Sequence, residues 1–264
     1  MKMPVAMTIA GSDSGGGAGI QADLKTFAAF GVHGTSAVTA ITAQNTLTVT
    51  SIHEVPVRVI RAQIDAVVED IGVRAAKTGM LASAEIIEAV SAAIREHGIP
   101  NVVVDPVMFA KGGARLLHNN AIAALYRYLL PLAAVVTPNI PEAEVLLGRS
   151  IVTLDDRRQA ARELVALGPR AAVVKGGHDS TPDAIDVYWD GAEMVELSSR
   201  RIETKNTHGS GCVFSAAISA GLAKGWEPLE AVRAAKAFIA GAIEHSLELG
   251  KGHGPVNPMF GLPD

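Results

Sequence analysis

The sequence predicts a doubly wound α/β fold, a mostly parallel sheet with helices on both faces. Three observations carry that reading. Short apolar runs alternate with helical patterns almost throughout the chain. The apolar content is mainly Ala, Val, Ile and Leu, with only 4% aromatic residues, which suits strands buried on both faces. The residues that leave these runs are unusually polar, as expected of sheets that bind ligands at the carboxyl ends of their strands. With no linker, low-complexity segment or repeat of fixed period, residues 1–264 read as one domain.

Composition removes several function classes. A net charge of −4 provides no electrostatic footprint for nucleic acid. Cys212 is the only cysteine, so no intrachain disulfide framework exists, which fits a reducing cytosol. The most apolar stretch, residues 121–136, is interrupted by Arg127 and Pro131 and is too short to span a membrane. The N-terminus has one Lys2, a brief apolar run and then Asp13, and reads as a first strand rather than a signal peptide.

Taken in order, residues 5–10 form an apolar run bounded by Gly11, a buried strand. A glycine loop to Gly19 leads into a helix over 20–30, with Leu24, Phe27 and Ala28 on one face. Residues 35–42 are β-branched and read as one strand, 55–57 as a shorter one. Ile60, Ile64, Val67 and Val68 give 58–71 a helical period. A strand at 75–78 and a helix at 84–97, stopped by Gly98 and Pro100, follow. The strand at 102–105 ends in Asp105 before a proline. Next come a helix at 119–130, a strand at 135–137, a proline-initiated helix at 141–147 and a helix at 155–167. The strand at 171–175 ends in Lys175. Asp190-Gly191 marks a hairpin between 184–189 and 193–197. Helices starting after Gly209 and covering 229–249 complete the pattern.

The polar residues at the strand ends define the chemistry. Gly209-Ser210-Gly211-Cys212 turns a polar loop into an apolar helix. The first amides of such a helix lack intrahelical partners and carry the positive end of its dipole, an arrangement suited to phosphate. Cys212 lies in that first turn, where the dipole is expected to favour thiolate; a buried, inert cysteine is the plain alternative. Asp105, Glu142, Lys175 and Lys205 join this helix start as the parts of magnesium-dependent phosphoryl transfer. Each has a structural reading too: Asp105 as a turn residue, Glu142 as a first-turn charge, Lys175 as a solvated lysine. No His/Cys spacing supports zinc at His178 or His208. The loop at 11–19 lacks the Walker pattern. Gly17-Ala18-Gly19-Ile20-Gln21-Ala22 fits a loose dinucleotide fingerprint, but Gln44 and Asn45 replace the acid expected after the second strand. The loop is therefore expected to wrap a small substrate.

Together these motifs resemble the hydroxymethylpyrimidine and phosphomethylpyrimidine kinases of the ribokinase-like superfamily. The resemblance is carried by Gly11-Ser12-Asp13-Ser14-Gly15-Gly16-Gly17 and the helix start to Lys25, by Thr42-Ala43-Gln44-Asn45, and by Asp105-Pro106-Val107-Met108. Thr137-Pro138-Asn139-Ile140-Pro141-Glu142, Lys175-Gly176-Gly177-His178 and Lys205-Asn206-Thr207-His208-Gly209-Ser210-Gly211-Cys212 complete it. It implies a three-layer sandwich and ATP- and Mg2+-dependent phosphorylation of 4-amino-5-hydroxymethyl-2-methylpyrimidine, then of its monophosphate, for thiamine. It further implies that Gln44 hydrogen-bonds the pyrimidine, with Gly11, Asp23, Met80 and Val107 completing the pocket. Lys175, Asn139, Lys205, Thr207 and Lys236 would serve ATP, and Asp105 and Glu142 the metal. Residues 209–212 would form the anion hole, with Cys212 thiolate assisting deprotonation in the first step only. A cytoplasmic homodimer is implied as well.

The chain departs from the family pattern after Met108, where Phe109-Ala110-Lys111-Gly112-Gly113-Ala114 lacks the usual serine and acid, at Thr48, and at Val256-Asn257. Two other readings stay open here. A pyridoxal or pyridoxine kinase would act on a similar ring and hydroxymethyl group, and a ligand sensor would keep the fold without the reaction.

Overall fold

In the computed structural model, which describes residues 3–109, 113, 116–118, 120–177 and 183–261, the alternation folds as expected. The elements are β1 (Val5–Ala10), α1 (Gly19–Ala29), β2 (His33–Val38), β3 (Ala40–Gln44), β4 (Val49–Glu54), α2 (Val57–Asp70), β5 (Ala75–Thr78), α3 (Ala84–Glu96) and β6 (Val102–Val104). They continue with α4 (Ala121–Ala124), β7 (Ala133–Val136), α5 (Ile140–Leu147), α6 (Leu154–Ala166), β8 (Ala171–Val174), β9 (Asp183–Trp189), β10 (Met194–Arg200), α7 (Ser210–Ala223) and α8 (Pro228–Glu244). Eight strands form one sheet in the order β10-β9-β8-β7-β6-β5-β1-β2. It is parallel from β8 to β2, and antiparallel where β9 joins β8 and β10.

Alternate strand residues separate two cores. Ala6, Val103, Val135 and Val173 face α1, α7 and α8. Met7, Ile9, Val104, Val136 and Val174 face α2, α3, α5 and α6. Burial of each such side chain contributes about 1.5–3 kcal/mol, which explains why strands of three or four residues persist. The chain leaves β1 for β2 on one side and returns to β5 on the other. The connecting helices α1 and α2 lie on opposite faces. Their divergence opens a crevice over the carboxyl ends of β1 and β5.

Four expectations need correction. The strand expected over 35–42 breaks at Thr39 into β2 and β3. The last bond of the ladder is from the Thr39 amide to Ala10 O at 2.9 Å, where β1 itself ends, and the Gln63 amide of α2 covers the outward N–H and C=O of Val38 at 2.9 and 3.1 Å on this edge strand. β3 then pairs with β4 as a separate antiparallel hairpin. The short strand expected at 55–57 is instead β4, because Pro56 caps α2 and Val57 already belongs to the helix. The helix expected over 119–130 is one α-turn followed by a wider turn at Leu125–Leu129 and a tight one at Leu130–Leu132. Pro131 has no N–H to continue an α-helix. Finally, α8 stops at Glu244, and the tail after it folds back so that the His253 amide donates to Thr46 O at 2.9 Å.

Candidate active site

A cavity of about 580 Å³ lies over the carboxyl ends of the strands. At one end stand Gly11, Gln44, Met80 and Val107. Gly11 packs closely there: a Cβ would come within 3.1 Å of the Met80 sulfur, so the methionine would have to shift slightly. At the other end are Arg200, Lys236 and the apolar flank of α8 at Ile239, Ala240 and Ile243. Between them lie Asp105, Asn139, Glu142, Lys175, Thr207 and the turn 209–212.

The glycine loop is organised by one carboxylate. Asp13 accepts from the amides of Gly15, Gly17 and Ala18 at 2.8, 3.0 and 2.8 Å, and lies 2.8 Å from His208 Nε2. Burial works against its charge, but the His208 contact and these amides outweigh it and hold the carboxyl below its usual range. The second glycine loop presses directly on the first. Gly209 has φ +78°, and a Cβ there would stand 1.8 Å from the Gly17 carbonyl oxygen. Only glycine fits, and α7 therefore begins at the cavity wall with its positive end toward it.

The acidic middle is built on three strand ends. Asp105 follows β6, and Lys175 follows β8 and donates to Asp105 Oδ1 at 3.1 Å. Ser215 Oγ of α7 lies 3.2 Å from Asp105 Oδ2. Asn139 and Glu142 form a capping box at the start of α5, with bonds of 2.8 and 2.9 Å. The structural reading of Glu142 is thus correct, and its carboxylate still lines the cavity. Burial pushes its pKa up to about 7, with Lys175 opposing and Asp105 adding to the rise. Burial also disfavours the Lys175 cation, but Asp105 and Glu142 outweigh it and hold its pKa above the usual value.

Cys212 overturns an expectation. Burial pushes its thiol up to about 11. The Lys77 ammonium pulls it down, while the Asp23 and Asp105 carboxylates raise it further. Withdrawal from water and two negative neighbours thus outweigh Lys77 and the Gly19 backbone contact, and they favour the thiol over the thiolate. Two other residues are misplaced by the sequence reading. Asp23 does not reach the cavity: it is fully buried beneath it, bound to Lys77 Nζ at 2.9 and 3.1 Å and to the Thr8 hydroxyl at 2.6 Å. Lys205 is exposed and outside the cavity wall, and its carbonyl instead accepts from the Thr207 amide. The remaining expected site residues line one cavity. His178 and the changed stretch at 110–112 and 114 fall outside the described residues.

Sequence reasoning missed Lys77, Asp186 and the structural part of His208. Lys77 was absorbed into the buried strand at 75–78; the signal was a lysine inside an otherwise uncharged four-residue run. Asp186 anchors the far end, bonding Lys236 Nζ at 2.9 Å and the Gly176 amide at 2.8 Å.

The family model described as phosphomethylpyrimidine kinase matches residues 13–257. The chain belongs to this family. Among relatives of the chain, the hydroxymethylpyrimidine/phosphomethylpyrimidine kinase of Bacillus subtilis is 50% identical, covering 97% of this chain and 95% of the relative. A thiamine biosynthesis bifunctional protein of Geobacter sulfurreducens is 51% identical over 98% of this chain, which spans 53% of that protein. The solved pyridoxal kinase of Staphylococcus aureus in complex with AMP-PCP and pyridoxal superposes with a TM-score of 0.91 at 36% identity, covering 98% of this chain and 94% of that one. The chain is thus an enzyme of ribokinase-like fold, a three-layer α/β sandwich with phosphotransfer as its chemistry.

Proposed function

We propose that the chain phosphorylates 4-amino-5-hydroxymethyl-2-methylpyrimidine with ATP, then phosphorylates the monophosphate to the pyrophosphate used for thiamine. One observation carries this. A single cavity has an amide pocket at one end, a basic, partly apolar pocket at the other, and a helix start between them. The Gln44 amide both donates and accepts, which matches a ring nitrogen beside an amine. Met80 and Val107 supply apolar contact to the ring. Lys236, anchored by Asp186, and Arg200 face the nucleotide phosphates, with Ile239 and Ile243 beside its base. The turn 209–212 offers backbone amides where the transferring phosphoryl passes, and one such donor is worth roughly 3 kcal/mol in a transition state. Lys175 neutralises charge on the same group.

Asp105 and Glu142 would hold Mg2+. Two carboxylates withdrawn from water lie beside the single Lys175 cation, which bonds Asp105 at 3.1 Å, an oxygen donor pair that a hard cation suits. No group of three metal-binding side chains occurs among the described residues. That fits magnesium, which takes one or two carboxylates and completes its shell with phosphate and water. When bound, it would neutralise charge on the transferring phosphates. Residues 1–264 would act as one domain in a cytoplasmic homodimer. The sole cysteine supports a reducing compartment, and no described helix is long and apolar enough to cross a membrane.

A coupled ATP assay with magnesium tests the reading, supplying the hydroxymethylpyrimidine, its monophosphate and pyridoxal separately. Turnover of both pyrimidines is expected. Turnover of pyridoxal alone would move the enzyme to vitamin B6 salvage, which the resemblance to the solved pyridoxal kinase makes the right control. Silence with all three would revive the sensor.

A further inference from the structure

Gln44 ends in an amide whose two ends have the same shape, so hydrogen-bond partners decide which end faces which way. On one side, Thr42 Oγ1 lies 2.8 Å from the Ser12 carbonyl oxygen and 3.2 Å from the Gln44 amide. A hydroxyl has one proton, and the shorter contact takes it. Thr42 therefore turns only a lone pair toward Gln44, and the amide NH2 belongs on that side. On the other side, His208 Nε2 lies 2.8 Å from Asp13 Oδ2 and 3.4 Å from the Gln44 amide. Asp13 accepts three backbone amides, which holds it as an acceptor-only carboxylate, so Nε2 must carry the proton between them. That proton is directed at Asp13, and a protonated Nε2 has no lone pair to accept from an NH2, so the end of Gln44 facing it is the carbonyl oxygen. Both neighbours require the same orientation, the exchange of the two amide ends from Oε1 placed toward Thr42 and Nε2 placed toward His208.

The His208 ring has little room to turn. It is 7% exposed, and a Cβ on Gly17 would come within 2.6 Å of its Cδ2. Its own amide donates to the Gly254 carbonyl, and its carbonyl accepts from the Val256 amide, both at 3.1 Å. We propose that His208 is a positioning residue: its Nε2–H, held by the Asp13 carboxylate, fixes the Gln44 amide with NH2 toward Thr42 and oxygen toward the imidazole, the orientation presented to the substrate ring. This rests on the reading that Gln44 meets the pyrimidine.

The test combines kinetics with a direct view of the proton. His208→Leu should raise KM for the hydroxymethylpyrimidine about ten-fold, the size expected when a buried amide loses the partner that orients it. KM for ATP should stay within about two-fold. His208→Gln keeps a donor at the Nε2 position and should recover most of the loss. In a Gln44→Ala background, His208→Leu should add less than about two-fold, because its action runs through the amide. An equal factor in both backgrounds, or an equal rise in KM for ATP, would overturn the proposal and leave His208 as a brace of the anion hole. Nitrogen-15 NMR of the parent protein, with His208 assigned from the variants, should show a proton on Nε2. A neutral ring protonated only on Nδ1 would overturn it whatever the substrate. If Gln44→Ala alone leaves the pyrimidine KM unchanged while Nε2 is protonated, the substrate reading of Gln44 fails instead, and with it the positioning role.

Discussion

Lys77 and Asp23 form a fully buried ion pair 54 residues apart in sequence, and no local pattern announces it. Burial disfavours the Lys77 cation, but Asp23 outweighs this and holds its pKa above the usual value. Removing one partner leaves the other charged and unpaired. Lys77→Met should therefore destabilise the protein by roughly 3–5 kcal/mol in urea unfolding. Lys77→Met with Asp23→Asn should regain much of that, since asparagine is neutral and still accepts from Thr8. A double variant no better than the single one would show that the pair's charges are not the source of the loss. The same lysine faces Cys212, the only thiol of the chain. Because burial pushes that thiol up to about 11, iodoacetamide should label it slowly at pH 7 and progressively faster toward pH 11. Cys212→Ala should then lower the two phosphorylations alike. A labelling midpoint near pH 8, or loss of the first step alone, would restore the thiolate base. Asp105, Glu142, Lys175 and Gln44 were legible because they sit at strand and helix ends, whose positions follow from local pattern. Asp23 and Lys205 were misplaced because sequence order fixes where a residue starts, not whether a partner draws its side chain inward or solvent draws it out.

At the scale of elements, the alternation of strands and helices was readable, as were the capping box of α5 and the glycine start of α7. The β3–β4 hairpin was not. Residues 35–42 are rich in β-branched side chains with no turn residue, and the break at Thr39 falls where β1 ends and Gln63 of α2 takes the free edge of Val38, both tertiary contacts. That hairpin carries Gln44 and so aims the amide proposed to meet the substrate. Gln63→Leu would leave the Val38 N–H and C=O without these partners, at a cost of roughly 1–3 kcal/mol. The variant should melt a few degrees lower. Its KM for the pyrimidine should rise more than its KM for ATP, because β3 moves and the α8 flank does not. Equal changes in both constants would mean that the hairpin is not steered by α2.

At the scale of the whole molecule, the cavity concentrates charge withdrawn from water, some of it also shaping the backbone around it. Glu142 shows the consequence. Its folded pKa is raised from 4.5 to about 7, so the native protein holds a proton that the unfolded chain releases. Stability from this group is therefore fully present below pH 4.5 and is lost as pH rises through about 7. The loss amounts to roughly 3 kcal/mol at most, from the size of the shift. Glu142→Gln has no charge to bury and keeps the acceptor for the Asn139 amide. Compared by urea unfolding at pH 5 and pH 8, the variant should gain on the parent by up to that amount. Magnesium with a non-hydrolysable ATP analogue should reverse the order, stabilising the parent more at pH 8 than at pH 5, since ligand that binds only the folded state adds its binding energy to folding. The site is then a place where stability is given up for affinity. If the two proteins track each other across the pH range, Glu142 is already neutralised in the resting fold, and the case for a cation between it and Asp105 falls with the prediction.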